Sequence, residues 1–465
     1  MAMTIDVGSD RQLFLDDLFF ESRSGIELKM HKPRAEEVIF QRDKPWETRS
    51  LDTPCIVQDG DLYRMWYRAD QGSRSEQRET GSWLCYAESK DCINWDKPDL
   101  GIVEYEGSTA NNIVFPAEGI GGFAVKNPSV LIDHAAPTDE RYKMVARTIG
   151  VKPTTICGFV SSNGLIWRSI ETNPILTNGP FDSHNIVVWD DETSRYVMYL
   201  RGTDESVAGP FQGGLRAIRR SESKDFRTWT PSELVLTADE YDPADFHIYT
   251  NAAVKYHRAA RAYLMFPMTL YDERHYPTAP FHGLSDVIFA SSRDGVSWER
   301  QFREPFIAPG LDERNWCDRN PMMGAGIVET GPDELSMVFQ ELHKAEESRF
   351  RRCTLRLDGF VSASAPYSGW SEFITPPMTF SGSTLELNYS TSGGGSIYVE
   401  LQDEAGIPVP GFKLDDCPEL FGDLTGGDVA WKGDPDLEAL AGRPAKMRVR
   451  MRDADLYAFR FRRSE

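Results

Sequence analysis

Apolar and polar residues alternate with a period of two through most of this chain, in short runs closed by Gly, Pro, Asn or Asp. That is the pattern of half-buried β-strands, and helical periodicity is scarce. Four of the runs end in one signature, small or polar residues, a turn residue and then a tryptophan. They are AESKDCINWDKP (87–98), VSSNGLIWRS (160–169), SESKDFRTWTP (221–231) and ASSRDGVSWER (290–300). Their tryptophans, Trp95, Trp167, Trp229 and Trp298, stand 72 (167−95), 62 (229−167) and 69 (298−229) residues apart. Asn163-Gly164 and Asp294-Gly295 are tight-hairpin signals, and Asp91, Asp225 and Asp294 read as turn residues without chemistry.

Two strand-like runs precede each signature, at 53–69, 127–148, 185–202 and 251–268, and a fifth copy of the two at 320–343 is followed by SRFRRCTLRLDG (348–359). A short apolar stretch follows each tryptophan, at 111–116, 173–177, 233–237 and 304–309. The fifth such stretch is found near the N-terminus, as EEVIFQRD (36–43). Five units of four strands, the last completed from the other end of the chain, predict an all-β five-bladed β-propeller closed by an N-terminal strand. After residue 360 the alternation continues between Gly and Pro turns without the repeat, which predicts a β-sandwich. The expected domains are 1–360 for the propeller and 361–465 for the sandwich, with LFLDDLFFE (13–21) lying across one of them.

A chain of 465 residues with 72 acidic and 51 basic side chains has a formal net charge of −21. Such a surface repels phosphate backbones and anionic lipid, so neither nucleic acid nor a membrane is an expected partner. Homo-oligomerisation is left open. The seven cysteines are scattered and never spaced as CxxC, which fits reduced buried thiols and a cytoplasmic location. Metal-type histidine spacing is absent, so no cofactor is expected, a structural metal ion being left open.

In a propeller, the loop entering each innermost strand delivers side chains to the central funnel. Those loops are RSLDTP (49–54), AVKNPS (124–129), GPFDSHN (179–185), DFHIYTN (245–251) and WCDRNP (316–321). Each is polar where apolar strand follows at once, and burying such groups is costly unless they are paired or used. They offer Asp52, Asn127, Asp182, His184, Asp245, His247, Trp316 and Asp318. The ends of the next strands would supply a second ring: Arg68, Arg147, Arg201 and, in the fifth unit, Glu341 and His343. The arginines can hold carboxylates ionised or grip an anionic group on a ligand.

With these residues the plan resembles the five-bladed propeller glycoside hydrolases, such as families 43, 32 and 117. The resemblance covers most of residues 10–360. It implies that an Asp opening the first blade acts as base or nucleophile, and Asp52 in LDTP occupies that position. The group's second-blade Asp is Asn127 here, and where a third-blade Glu acid is common this chain has Asp182, His184 and Asn185. Family 117, in which histidine can serve as the acid, keeps His184, His247 and His343 as candidates. Glycoside cleavage needs one ionised carboxylate and one group holding a proton. The expectation is Asp52 as the ionised partner and Glu341 as the proton donor, with Asp182 also catalytic. Asp245 and Asp318 would orient hydroxyls or tune pKa, and Trp316 would offer a platform for a sugar face. The function expected is an exo-acting glycoside hydrolase on a small carbohydrate. The alternatives are a non-catalytic sugar-binding propeller and a phosphate-dependent glycoside phosphorylase.

Overall fold

The four tryptophan turns close through one hydrogen-bond pattern. In a computed structural model of the chain, which describes residues 4–73, 78–150, 152–177, 179–182, 184–206, 214–279 and 282–463, Asp91 Oδ1 accepts the backbone N–H of Ile93 (2.9 Å) and Asn94 (2.7 Å), and Ser89 Oγ donates to it (2.9 Å). Asn163 with Ser161, Asp225 with Ser223 and Asp294 with Ser292 repeat the arrangement. A short side chain that satisfies two backbone donors fixes a tight turn locally, which is why this signature recurs. The turns also pin neighbouring blades. Trp66 Nε1 of the first blade donates to the Gly164 carbonyl (2.8 Å), and the Tyr199 hydroxyl of the third donates to Gly295 (2.8 Å). Gly164 has φ +76°, and a Cβ there would stand 2.7 Å from the Trp66 ring, so the position demands glycine.

The first blade is Ser50–Asp59, Leu62–Ser73, Arg78–Ser89 and Ile113–Phe115, antiparallel in chain order. The second is Val125–Ile132, Tyr142–Thr148, Ile156–Ser161 and Arg168–Ser169. The third is Ile186–Asp190, Arg195–Asp204, Leu215–Ser223 and Glu233–Leu236. The fourth is split into Phe246–Ile248 with Thr269–Tyr271, and Val254–Lys255 with Tyr263–Met265 and Ala290–Ser292. Its expected outer strand at 304–309 contributes one bridge, Val287 to Ile307. In the second blade likewise the stretch 173–177 makes a single bridge, Ile156 to Leu176.

The fifth blade is closed as the repeat requires. Met322–Met323 and Val328–Gly331 pair with Glu334–Glu341, which pairs with Arg349–Arg356, and the fourth strand is Arg34–Gln41 from the N-terminal side. Phe40, 4% exposed, stacks on Phe350 of the fifth blade (5.6 Å between centroids) and meets Tyr67 of the first edge-on (4.8 Å). Closure is therefore an apolar seam between first and last blades as well as a ladder.

The propeller unit comprises Pro33–Lys255 and Tyr263–Thr354. Residues up to Lys32, expected in the propeller span, fall instead in the second unit with Tyr256–Ala262 and Leu355–Glu465. The reason is local pairing. Ile5–Gly8 runs parallel to Met378–Phe380, and Glu27–Met30 is antiparallel to Val361–Ala365. Phe14 and Phe19 of the LFLDDLFFE segment enter a core with Phe373 and Phe459. Where the sequence predicts a sandwich, hydrogen bonds join ten strands into one sheet around this core. The long strands Thr384–Asp403 and Ala445–Arg462 form its spine. All seven cysteines are buried free thiols.

Candidate active site

Register places the first two rings side by side. Asp52 lies opposite Arg68 in the first blade and Lys126 opposite Arg147 in the second. Directly after each, the ladder slips, between Asp52 and Cys55 and between Lys126 and Ser129. The residues responsible, Thr53 (φ 46°) and Asn127 (φ 57°), sit in the left-handed region. Ala252 (φ 43°) in the fourth approach and Arg319 (φ 67°) in the fifth do the same. A bulge with a strained non-glycine residue at the mouth of a blade re-aims side chains, and such strain clusters at functional sites.

Asp52 is 5% exposed and is surrounded by donors. The Thr53 N–H (2.9 Å) and Gln340 Nε2 (2.8 Å) donate to Oδ1, and Arg68 Nη1 donates to Oδ2 (3.2 Å). Gln340, with its amide turned to satisfy both ends, accepts from His343 Nδ1 (2.8 Å), giving a chain His343–Gln340–Asp52. Arg68 donates through Nε and Nη2 to Asp70, the latter bond 2.6 Å, and through Nη1 to Asn127 Oδ1 (2.9 Å). With its fork on Asp70, Arg68 meets Asp52 through one arm that Asn127 shares. Burial therefore pushes the Asp52 carboxyl above the ordinary carboxylate range, against the pull of Arg68 and with the nearby charge of Asp70 adding to the rise.

Asp182 has the opposite environment. Its side chain keeps 40% of its surface, Arg147 Nη2 is 3.6 Å from Oδ1, and the Tyr249 hydroxyl donates to Oδ2 (3.3 Å). Partial burial works to raise its pKa, but Arg147, Arg201, Lys126 and Arg319 outweigh it and hold the carboxyl below its usual value. Burial, then the Asp182 charge, pushes the Tyr249 phenol up to about 12, so it stays a donor. Lys126 and Arg319 act on both Asp52 and Asp182.

His184 is wholly buried, and neither ring nitrogen has a hydrogen-bond partner among the described residues. Desolvation lowers its pKa to about 4, so it is neutral at physiological pH. His247 is likewise lowered to about 4, by burial and by Arg216, and its Nδ1 accepts the Arg216 N–H (3.2 Å). Neither ring is an imidazolium at neutral pH, so neither suits the role of general acid. Asp318 is engaged by Arg319 and Lys344, at 3.2 Å each. Trp316 donates to the Gly310 carbonyl (2.9 Å) and stacks on Tyr276 (5.6 Å, 27°), which occupies one of its two faces. Asp245 is half-buried, and its carbonyl accepts the Asp272 N–H (3.2 Å).

Glu341 does not meet the role expected of it. Adjacent residues of a strand face opposite ways, and Gln340 faces Asp52. The Glu341 carboxylate turns to Arg349 and Arg351 on the neighbouring strand, accepting from Arg351 at 3.1 and 2.9 Å. A carboxylate held by two guanidiniums is a structural acceptor. Glu341→Gln should therefore lower the melting temperature, by an amount equivalent to roughly 1–2 kcal/mol for a pair whose arginines are partly exposed. Its kcat should stay within about threefold of the parent's, and thermal melts with initial rates check both.

The sequence reading does not single out Asp70, Lys126, Tyr249, Arg319 or Gln340. A signal for two of them exists, because Lys126 and Arg319 each stand two residues before a proline, as Asp52 stands two before Pro54.

No family model matches the chain. Two uncharacterized proteins of Mycobacterium tuberculosis, from strains CDC 1551 and H37Rv, are 28% identical over 155 residues, 32% of this chain and 46% of each relative. The chain thus matches about half the length of these curated relatives. Among solved structures, a family 43 arabinoxylan arabinofuranohydrolase from Bacillus subtilis in complex with cellotetraose aligns at TM-score 0.44 and 11% identity, over 90% of this chain and 96% of that one. A glycosyl hydrolase from Bacteroides ovatus aligns at TM-score 0.45 and 12% identity, over 75% and 93%. A member of family 130, described as mannoside phosphorylases that include hydrolases of β-1,2 mannosidic linkages in Candida mannan, aligns at TM-score 0.47 and 12% identity, over 70% and 94%.

Proposed function

We propose that the chain is a glycoside hydrolase whose chemistry is carried by Asp52 and Asp182 in the propeller funnel. The observation that supports this most is the opposed tuning of two carboxyls that feel the same cations, Lys126 and Arg319: burial raises Asp52 while a cluster of cations depresses Asp182. Opposed environments are how one site keeps an acid and a base together near neutral pH. In this reading Asp52 holds the proton and delivers it to the leaving oxygen. Asp182, ionised and partly open, faces the anomeric carbon as base or nucleophile. These roles reverse the sequence expectation for Asp52 and replace Glu341. The Gln340–His343 chain and Arg68 orient Asp52, and Tyr249 orients Asp182. In this reading the bulged approaches of several blades feed one funnel mouth, which suits a terminal sugar and exo attack.

The test is a panel of aryl furanosides and pyranosides offered to the purified chain with and without inorganic phosphate. Release of the aryl group that is independent of phosphate supports hydrolysis. Strict phosphate dependence would move the reading to phosphorolysis, and binding without release would reduce it to sugar recognition.

The pH profile gives a second expectation. The acid limb of kcat/KM should belong to Asp182 and fall below the ordinary Asp value of about 4, and the alkaline limb should belong to Asp52 and lie above it. Activity that collapses as pH drops through about 5 would contradict this assignment.

A further inference from the structure

The chain carries a formal net charge of −21, yet Asp182, at the entry to the third blade, stands among the cations Arg147, Arg201, Lys126 and Arg319. Arg147 reaches Asp182 at 3.6 Å. Arg201, 8% exposed, donates through Nη1 to the Pro180 carbonyl (2.5 Å), while its Nε is buried without a hydrogen-bond partner among the described residues. The Arg216 guanidinium lies over the Tyr249 ring at 4.8 Å, and that tyrosine donates to Asp182. Arg319 and Lys344 share Asp318, and Asp245 and Asp272 act on His247 beside Arg216. Arg147, Arg201 and Lys126 all act on the carboxylate of Asp182, and Lys126 acts on Asp52 as well.

Guanidiniums gathered in a partly desolvated pocket repel one another, and an unpaired buried donor costs free energy until something accepts from it. Planar N–H forks match an oxyanion in geometry and in charge. We infer that the sugar bound in this funnel carries an acidic substituent, a carboxylate or sulfate ester, seated against Arg147 and Arg201. This rests on the reading of the funnel as a sugar site and names the class of sugar. Arg201 Nε supplies a donor that has no partner among the described residues, and the substituent shares the cation cluster with Asp182, so the carboxylate proposed as catalytic and the recognition group use one set of guanidiniums.

Calorimetric titration of the full chain with matched pairs tests this: glucuronate against glucose, galacturonate against galactose, and galactose 6-sulfate against galactose, with inorganic sulfate alone as a further arm. At least one acidic sugar should bind tenfold or more tightly than its neutral partner. That margin should shrink with added salt and vanish in Arg201→Met, while neutral sugars bind that variant as before. If Arg201→Met does not melt cooperatively, Arg147→Gln should show the same loss. No pair separated by tenfold would overturn the inference, and so would inorganic sulfate binding as tightly as the acidic sugar, since the occupant would then be a free anion. Tight acidic-sugar binding without cleavage of any glycoside would leave the inference standing and remove the hydrolase reading. Cleavage of neutral glycosides with no acidic preference would do the reverse.

Discussion

Replacing Asp52 by asparagine should lower turnover about a thousandfold or more while the protein still folds. The amide is nearly isosteric and can still accept from Thr53, Gln340 or Arg68, but it cannot hold or release a proton. The same variant should gain on the parent in stability as pH rises. The folded pKa of Asp52 is raised by burial, so its ionised form is the one that folding disfavours. The parent's stability from this group is full below the unfolded value and is lost as pH climbs through the folded value. Asparagine has no such loss. Thermal melts between pH 4 and 8 should therefore show the difference between variant and parent moving in the variant's favour as pH rises. Near-normal turnover in a folded Asp52→Asn protein would remove Asp52 from the chemistry.

Loss of the closing strand should have the largest effect on the fold. A chain lacking residues 1–41 leaves Arg349–Arg356 as an unpaired edge and opens the seam between first and fifth blades, so insoluble or aggregated protein is expected. Because that deletion also removes strands of the second unit, Phe40→Ala isolates the seam. Truncating a 4%-exposed ring packed on Phe350 and Tyr67 should cost about 3–5 kcal/mol. Chemical denaturation gives that value. A deletion product that is monomeric and melts cooperatively would contradict closure by this strand.

Much of the fold is legible in the sequence because each blade repeats one local solution. The Ser and Asx side chains that close the tryptophan turns are short-range devices, so the four copies are visible without tertiary information. The displaced fifth strand follows from counting. The fourth blade is less regular than its sequence suggests, because Ala252, at φ 43°, interrupts its inner strand. The placement of residues 4–32 is not legible, since short apolar segments such as LFLDDLFFE suit either core.

The miss at Glu341 has a definite physical cause. The second strands read YRMWYR (63–68), YKMVAR (142–147), YVMYLR (196–201) and LSMVFQ (335–340), each with methionine three before its last residue. Aligned on Met65, Met144, Met198 and Met337, the partner of the three arginines is Gln340, one residue before the one chosen. A slip of one residue in a strand exchanges the two faces, and here it exchanges a residue bonded to Asp52 for one bonded to Arg349 and Arg351. The proposed reversal of acid and base lies beyond the sequence for another reason. Asp52 and Asp182 are the same side chain, and only the three-dimensional distribution of burial and guanidinium separates them.

The most direct test is a crystal structure of the Asp52→Asn variant with an uncleaved glycoside from the panel. The scissile oxygen should lie within about 3 Å of the substituted amide at position 52, with the Asp182 carboxylate facing the anomeric carbon, as a positioned acid and base require. A glycoside bound in the funnel with neither residue near that linkage, or bound only outside the funnel, would contradict the assignment.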